Sequence, residues 1–393
     1  MPIPPEILDK IIGYATTDEP HVGREFSNRA SFVSHNFHQI ILPYKFRSLI
    51  FRVHHNSGYY SGRNGKKHTA IPPNLIPKFC KAINAGDAHA LSLALLVKEL
   101  ILFGNHQISE ALEIIINGVV ISFRNLTYLR MEQCFTSPGI MEQLGKLVQL
   151  QSLHTWHCQH EEFHYSADKR SSYGALSKFQ SLHTLECQGD WQNFRRYLAC
   201  IPMKNLRILK SSDSEVIESL MASDPPVQLK ELYLIYYEGY SLLWNFIARV
   251  TSLTHLSLPH LELSDGPPHS LIFSFQELQY LHIHIAFAPR FADQPLKKLK
   301  IDTESGAGQL MVEVRQLWQG ITFPHVEHLE TDRPYDELDK IPIEFWREFL
   351  LNVNEIVSRH EVVPRHVFKL FLDSLPFESM LIFLFFKFVL YSR

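Results

Sequence analysis

Several features that mark common functional classes are missing from this chain of 393 residues. Cysteine occurs five times, a sparse and odd number without a Cys-x-x-Cys pair, which argues against a secreted disulfide framework. The formal net charge of -3 supplies no broad positive field for nucleic acid or an anionic membrane. Glycine-rich phosphate-binding motifs and the Gly-x-Ser-x-Gly motif are also absent. The cysteine content therefore favours an intracellular protein, cytoplasmic or nuclear, and the missing motifs lead us to expect that it is not an enzyme.

Long apolar runs are scarce as well. The opening residues, MPIPPEILDKIIG, lack the basic stretch and apolar run of a secretory signal. The run from Met380 to Tyr391 is strongly apolar but includes Lys387 and spans 12 residues. Because crossing a bilayer takes about 20 apolar residues, we expect this tail to form a capping or interfacial helix. A membrane contact through the tail is the alternative.

What the chain does contain is a repeated pattern of Leu, two residues, Leu, one residue, and a position that is usually apolar. Its copies begin at Val97, Leu126, Leu150, Leu182, Leu206, Leu229, Leu253, Leu278, Leu296 and Val326. Five of the nine steps between copies are 23 to 25 residues, the period of a leucine-rich repeat. One unit cannot bury its leucines alone, so neighbouring units must stack. The pattern predicts an α/β leucine-rich repeat solenoid with a parallel β-sheet on its concave face.

The repeat pattern divides the chain into four predicted segments. Residues 1–52 form a helical module that ends in a strand-like stretch, which we expect to be the first strand of the solenoid. Residues 53–95 form a polar loop followed by a largely helical entry. Residues 96–333 carry the solenoid. Residues 334–393 contain FWREFLLNVNEIV and RHVFKLFLDSL, whose apolar spacing predicts a C-terminal helical cap with an apolar tail.

Side-chain alternation along each strand predicts which residues face a partner. The leucines point inward, and the side chains between and just after them lie on the concave surface. Aromatic and arginine side chains are enriched at binding hot spots. The predicted target-binding residues are Tyr128, Arg130, His154, Trp156, Tyr233, Tyr280 and His282. A solvated face without a partner is the alternative, and the insert that follows Trp156 could cover its ring.

The segment His160 to His164 reads HEEFH, the zinc-protease pattern His-Glu-x-x-His. It lies in a short polar insert and lacks the third histidine and glycine of the longer motif. We therefore expect an exposed loop, and we predict no catalytic residue, metal or cofactor. His282 and His284 also have a ligand spacing, but no third ligand is evident.

Two cysteines occupy equivalent repeat positions. Cys134 and Cys158 each lie eight residues after the first leucine of their copy, where this repeat type takes Asn or Cys. We expect buried, reduced thiols there.

The N-terminal residues resemble an F-box motif. The resemblance rests on IPPEILDKIIGYA and FVSHNFHQIILPYKFRSLIF. The matching residues are Pro4, Glu6, Ile7, Leu8, Ile12, Val33, Ser34, Phe37, Phe46, Arg47 and Leu49. Ile3 stands where leucine is usual and Phe37 where tryptophan is common, and the segment between Ala15 and Ala30 carries charges where an apolar turn is expected.

The F-box resemblance, with repeats directly behind it, implies a target receptor of a Skp–cullin ubiquitin ligase. Its partners would be the Skp adaptor, through it a cullin, and an unknown protein target, with no nucleic acid. The adaptor-binding residues implied are Pro4, Ile7, Leu8, Ile12, Val33 and Phe37. Three other interpretations stay open: a repeat scaffold without a ligase, whose N-terminus only caps the solenoid, a peripheral membrane protein, and a metalloprotease based on HEEFH.

Overall fold

The structure is a computed structural model that describes part of the chain. The described residues are 42–43, 46–52, 69–71, 75–104, 118–136, 144–160, 179–188, 205–212, 228–235, 240–259, 261–302, 316, 318–331, 355–358 and 361–364. The chain divides into two compact units, Met1–Val227 and Gln228–Arg393. Each unit contains its own run of repeat strands.

The first unit is built around seven adjacent strands. Their order across the sheet is β9-β8-β6-β4-β3-β1-β2, and the neighbouring strands run parallel. The strands are β1 (Ser48–Arg52), β2 (Thr69–Ile71), β3 (Glu99–Phe103), β4 (Tyr128–Glu132), β6 (Ser152–Trp156), β8 (Thr184–Gln188) and β9 (Ile208–Ser211). Two short strands, β5 (Phe135–Thr136) and β7 (Gln159–His160), form a separate parallel pair. Every described copy of the repeat in this unit therefore contributes a strand.

Two short helices precede β3, as the apolar spacing before the solenoid predicts. Helix α1 (Ile76–Asn84) ends before Gly86, whose φ of 76° lies in the left-handed region that glycine adopts freely. Helix α2 (Ala88–Leu96) begins at Asp87, whose carboxylate accepts a hydrogen bond from the Ala90 backbone N–H at 2.7 Å. The prediction of helix in this part of residues 53–95 is confirmed.

The second leucine of each copy forms a continuous column in the first unit. The parallel register places Leu100 beside Leu129, Leu129 beside Leu153, and Leu153 beside Leu185. All four side chains are fully buried. Stacking removes from water the apolar area that a single repeat would leave exposed, so the column stabilises the first unit.

The second unit repeats the arrangement. Its strand order is β16-β15-β14-β13-β12-β11-β10, with parallel neighbours except for the antiparallel pair of β15 and β16. The strands are β10 (Glu231–Leu234), β11 (His255–Ser257), β12 (Tyr280–His284), β13 (Lys298–Asp302), β14 (His328–Thr331), β15 (Glu355–Ser358) and β16 (Glu361–Pro364). A helix that the repeat pattern does not predict, α3 (Tyr240–Arg249), lies between β10 and β11.

Leucines and aromatic residues share the core of the second unit. Leu256, Leu281 and Leu299 are in register on adjacent strands and are fully buried. Trp244 of α3 is also fully buried, and its indole N–H donates a 2.6 Å hydrogen bond to the Asp265 carbonyl. Aromatic side chains such as Trp244 thus join the leucines in filling the core of the second unit.

One part of the predicted organisation needs correction. The expected helix over 345–357 is wrong at its end, because Glu355–Ser358 is a strand that pairs in parallel with β14. The predicted first strand of the solenoid is confirmed, because β1 pairs in parallel with β3. The six predicted adaptor-binding residues, Pro4 to Phe37, lie outside the described residues, as does the tail after 364. None of the helices in the described ranges has the length and apolar character needed to span a bilayer.

Candidate functional site

The sheet face opposite the leucines, here called the outward face, carries the predicted binding residues. In β6 the exposure alternates, with Leu153 and Thr155 buried and Ser152, His154 and Trp156 half-buried. The same alternation holds in β8, β9 and β10. The pleat of each strand thus separates the core side chains from those that can meet a partner.

In the first unit the outward face holds a cluster that we call the Trp156 patch, made of Tyr128, Arg130, His154, Trp156 and Glu186. The ring centroids of Tyr128 and His154 are 4.8 Å apart. The Arg130 guanidinium lies 5.1 Å from the centroid of the Trp156 ring, a cation–π contact. Four of the seven predicted target-binding residues are thus brought together on adjacent strands.

An ion pair and a hydrogen bond hold polar members of the Trp156 patch in place. Arg130 pairs with Glu132, and His154 Nδ1 lies 3.0 Å from a carboxylate oxygen of Glu186. Burial works to raise the pKa of Glu186, but the hydrogen bond with His154 and the nearby positive charges outweigh it and lower that pKa. Glu186 therefore stays ionised at neutral pH. From the sequence, the contact of Glu186 with His154 can be inferred only through the strand register, which places the two residues side by side.

In the second unit the outward face holds the Tyr280 patch, made of Tyr233, His255, Tyr280, Lys298 and Glu330. Lys298 Nζ lies 5.5 Å from the Tyr280 ring centroid, and the rings of His255 and Tyr280 are 5.7 Å apart. Glu330 accepts hydrogen bonds from the ammonium groups of Lys298 and Lys300, at 2.8 and 2.9 Å. Burial raises the pKa of Tyr280, so its hydroxyl remains a protonated donor.

The predicted anchor His282 is not available on this face. It is 5 % exposed, and both ring nitrogens are engaged. Its Nδ1 lies 2.9 Å from the Ser257 hydroxyl, and its Nε2 lies 2.7 Å from an oxygen of Asp302. Since an ionised carboxylate only accepts hydrogen bonds, the Nε2 atom carries the proton toward Asp302. The expectation that His282 is an exposed anchor is therefore wrong.

The Ser257–His282–Asp302 chain has the residue types of a hydrolytic triad, although the sequence shows no catalytic motif around them. Ser257 is 3 % exposed and Asp302 is 6 % exposed, so a substrate cannot reach the serine hydroxyl in this conformation. The three groups instead satisfy one another, as buried polar groups must. We assign the chain a structural role, tying β11, β12 and β13 together. The contact between Ser257 and His282 could be predicted from the sequence, because the two residues occupy the same position in consecutive copies.

The two histidine motifs differ in how much of them the structure describes: His282 and His284 are both in β12, whereas most of HEEFH is not described. His160 ends β7, and residues 161–164 of HEEFH lie outside the described ranges. Among the described residues, no group of three or more His, Cys, Asp or Glu side chains could hold a metal ion.

Comparisons with known proteins show only a distant structural likeness. No protein-family model matches the chain, and no curated protein matches it. A solved internalin (InlF) from Listeria monocytogenes is similar with 12% sequence identity and a TM-score of 0.26. The match covers 55% of this chain and 64% of the internalin chain, so the likeness spans less than two thirds of that protein's length.

Proposed function

We propose that this protein is a repeat scaffold whose outward sheet face binds a protein target. The observation that carries the proposal is the separation of faces: Leu129, Leu153 and Leu185 are buried, whereas Arg130 and Trp156 lie half-buried on the opposite side. Tryptophan, tyrosine and arginine are the residues that most often dominate binding energy at protein interfaces.

The contacts within each patch favour binding by fixing side chains before a partner arrives. The Trp156 ring of β6 lies against Arg130 of the adjacent strand β4. It is also stacked with the His157 ring, with an interplanar angle of 8°. The Tyr280 ring is flanked by His255 and Lys298. Side chains that are already ordered lose less conformational entropy on association. Trp156 and Tyr280 are therefore our candidate anchors.

We further propose that the scaffold serves as the target receptor of a Skp–cullin ubiquitin ligase. Support comes from the F-box resemblance of IPPEIL and FVSHNF, followed directly by the repeats. In this proposal Leu8 and Phe37 belong to the adaptor-binding set, and the partner subunits supply the ligation chemistry. Binding of purified Skp adaptor to the full chain tests this step. A scaffold without a ligase role would capture its target without binding the adaptor.

Target capture by outward-face variants tests the scaffold proposal. Truncating an aromatic anchor commonly costs about 2 kcal/mol or more, so Trp156→Ala or Tyr280→Ala should weaken capture roughly thirtyfold. Proximity labelling from the full chain identifies captured proteins, and titration with an identified target gives the affinities. Ile272→Ala is the control, because Ile272 is 83 % exposed and lies outside the repeat strands.

An unchanged set of captured proteins in both anchor variants would move the target site away from the outward face. The insert between Cys158 and Gly174 and the apolar tail would then be the next regions to test. Circular dichroism of each variant must show that it is folded.

A further inference from the structure

Cys134 and Cys158 lie directly opposite each other in neighbouring repeats. The register before them pairs Glu132 with Trp156, and the register after them pairs Phe135 with Gln159. Both pairs are offset by the same number of residues, so the two cysteines between them must also be partners.

The backbone has the same conformation just before each of the two cysteines. Each follows a residue with positive φ, 51° at Gln133 and 48° at His157. The N–H of Gln133 donates to the Trp156 carbonyl, and the N–H of His157 donates to the Gln188 carbonyl, both at 2.8 Å. The chain thus makes the same left-handed step in both repeats, and the two Cα–Cβ bonds leave equivalent backbone positions.

The spacing between the two repeats suits a disulfide. Neighbouring strands are about 4.8 Å apart, and disulfides join Cα atoms roughly 4.4–6.8 Å apart. Disulfides also bring the Cβ atoms to roughly 3.5–4.5 Å, so closing the bond requires the two Cβ atoms to approach by a few tenths of an ångström. The register places Cys187 beside Thr155 of β6 and Ser211 of β9. Cys80 belongs to α1, outside the two strands that precede Cys134 and Cys158.

The sulfur atoms also interact before any oxidation. A hydrogen bond between the thiols lowers the pKa of Cys158 and raises the pKa of Cys134. Cys158 Sγ lies 3.4 Å from the Met131 carbonyl, and Cys134 Sγ lies 3.5 Å from the Leu102 carbonyl. Cys134 is half-buried, whereas Cys158 is 1 % exposed.

We propose that Cys134 and Cys158 are a modification site that hydrogen peroxide converts into a reversible disulfide between neighbouring repeats. Peroxide first oxidises Cys134, the more exposed of the two sulfurs, after its thiol has lost a proton, and the thiolate becomes a sulfenic acid. The hydroxide that leaves the peroxide takes up that proton and departs as one water molecule. The Cys158 thiolate then attacks the Cys134 sulfur. The S–S bond forms as the S–O bond breaks, and the departing hydroxide takes a proton to give a second water.

In sum, two thiols lose two electrons to one peroxide, which is reduced to two waters. A dithiol reductant reverses the change by thiol–disulfide exchange. The bond would link the segments that follow β4 and β6, the two strands that carry Arg130 and Trp156. The proposal does not depend on the identity of a target, and it stands or falls separately from the proposed function.

Disulfide mapping of the full-length chain tests this inference. The reduced protein is treated with hydrogen peroxide under native conditions, alkylated with N-ethylmaleimide in denaturant, and digested with trypsin without reductant. Cleavage after Arg130, Lys146 and Lys169 places the two cysteines in separate peptides, 131–146 and 147–169. We expect these peptides to be joined after oxidation, and to separate when dithiothreitol is added.

Two variants sharpen the disulfide test. Cys134→Ser should abolish the joined peptide and leave Cys158 open to alkylation. Cys187→Ser, which removes another buried thiol of the same unit, should leave the joined peptide unchanged. Full alkylation of both cysteines after peroxide treatment would overturn the proposal. So would oxidation of the two sulfurs without a joined peptide, or pairing of either one with Cys80, Cys187 or Cys200. The wild-type result decides the matter even if a variant fails to fold.

Discussion

At the scale of single residues, the leucine positions carry the stability of the repeats. The side chain of Leu281 is fully buried in β12, between Leu256 and Leu299 of the adjacent strands. If this side chain were shortened, the neighbouring leucines could fill the resulting cavity only if a strand moved.

We predict that Leu281→Ala lowers the free energy of unfolding by about 2–5 kcal/mol, since it leaves a cavity in a packed column. Urea unfolding followed by circular dichroism measures the change. Leu242→Ala is the matched control, because Leu242 of α3 is 58 % exposed. If the two variants lose equal stability, the leucine column is not the core of the second unit.

Gly104 has no room for a side chain, because the backbone of Gln133 and Cys134 passes close to it. A Cβ atom at this position would overlap the Gln133 carbonyl oxygen and lie 2.8 Å from the Cys134 Cα. Because the neighbours are backbone atoms, they cannot rotate away as a side chain can.

We therefore predict that Gly104→Ala destabilises the chain by about 1–3 kcal/mol through overpacking. A Cβ at Gly118 would meet only the flexible side chain of Asn84, at 3.3 Å. Gly118→Ala should accordingly be neutral or slightly stabilising. Thermal unfolding of both variants makes the comparison, and a neutral result for Gly104→Ala would contradict the close approach.

At the scale of strands and helices, periodicity predicted much of the fold. The two-residue alternation in copies such as LQSLHT predicted a strand there with Leu153 inward, and the structure confirms both. Alternation could not predict that His282 is buried, because it assigns a face to a side chain but not the neighbours on that face. The burial of His282 depends on Ser257 and Asp302, which lie on other strands.

The return segments were less predictable than the strands. Helix α3 and its buried Trp244 lie between two copies of normal spacing, and nothing in the leucine pattern distinguishes a helical return from an irregular one. Strand β15 was missed for a related reason. NEIVS has apolar residues at positions that suit either a short strand or the end of a helix, and only its pairing with β14 decides between them.

The lysine–glutamate network across β13 and β14 predicts a pH dependence. Burial would raise the pKa of Glu330, but hydrogen bonds from Lys298 and Lys300 outweigh burial and lower it. A carboxyl group whose pKa is lower in the folded state stabilises that state above its ordinary pKa of about 4.3. This stabilisation is lost as the pH falls through the ordinary pKa and then through the folded pKa.

Glu330→Gln should therefore cost stability near neutral pH, and the difference from wild type should shrink as the pH approaches about 4 and below. Urea unfolding across this pH range provides the test. Glu277→Gln is the control, since the pair of Glu277 with Lys230 is exposed and should contribute about 0–1 kcal/mol. A constant difference between Glu330→Gln and wild type at every pH would refute the role of the two lysines.

At the scale of the whole molecule, the chain has two units of repeat strands, and we propose that the segment before them is an F-box. The repeats were predictable because stacking requires the same apolar positions in every copy. The outward face was predictable in outline, since Trp156 and Tyr280 lie where alternation places them. The adaptor-binding set from Pro4 to Phe37 rests on resemblance alone, because a short apolar-periodic helix has the same pattern whether it caps a solenoid or binds a partner.

Titration of the full-length chain with purified Skp adaptor tests the central claim most directly. We predict that the wild type binds and that the Leu8→Ala and Phe37→Ala double variant, shown to be folded, does not. Trp156→Ala should bind the adaptor as the wild type does, because repeat units couple mainly to their neighbours. A folded wild type that fails to bind the adaptor, or a folded double variant that binds it undiminished, would contradict the account.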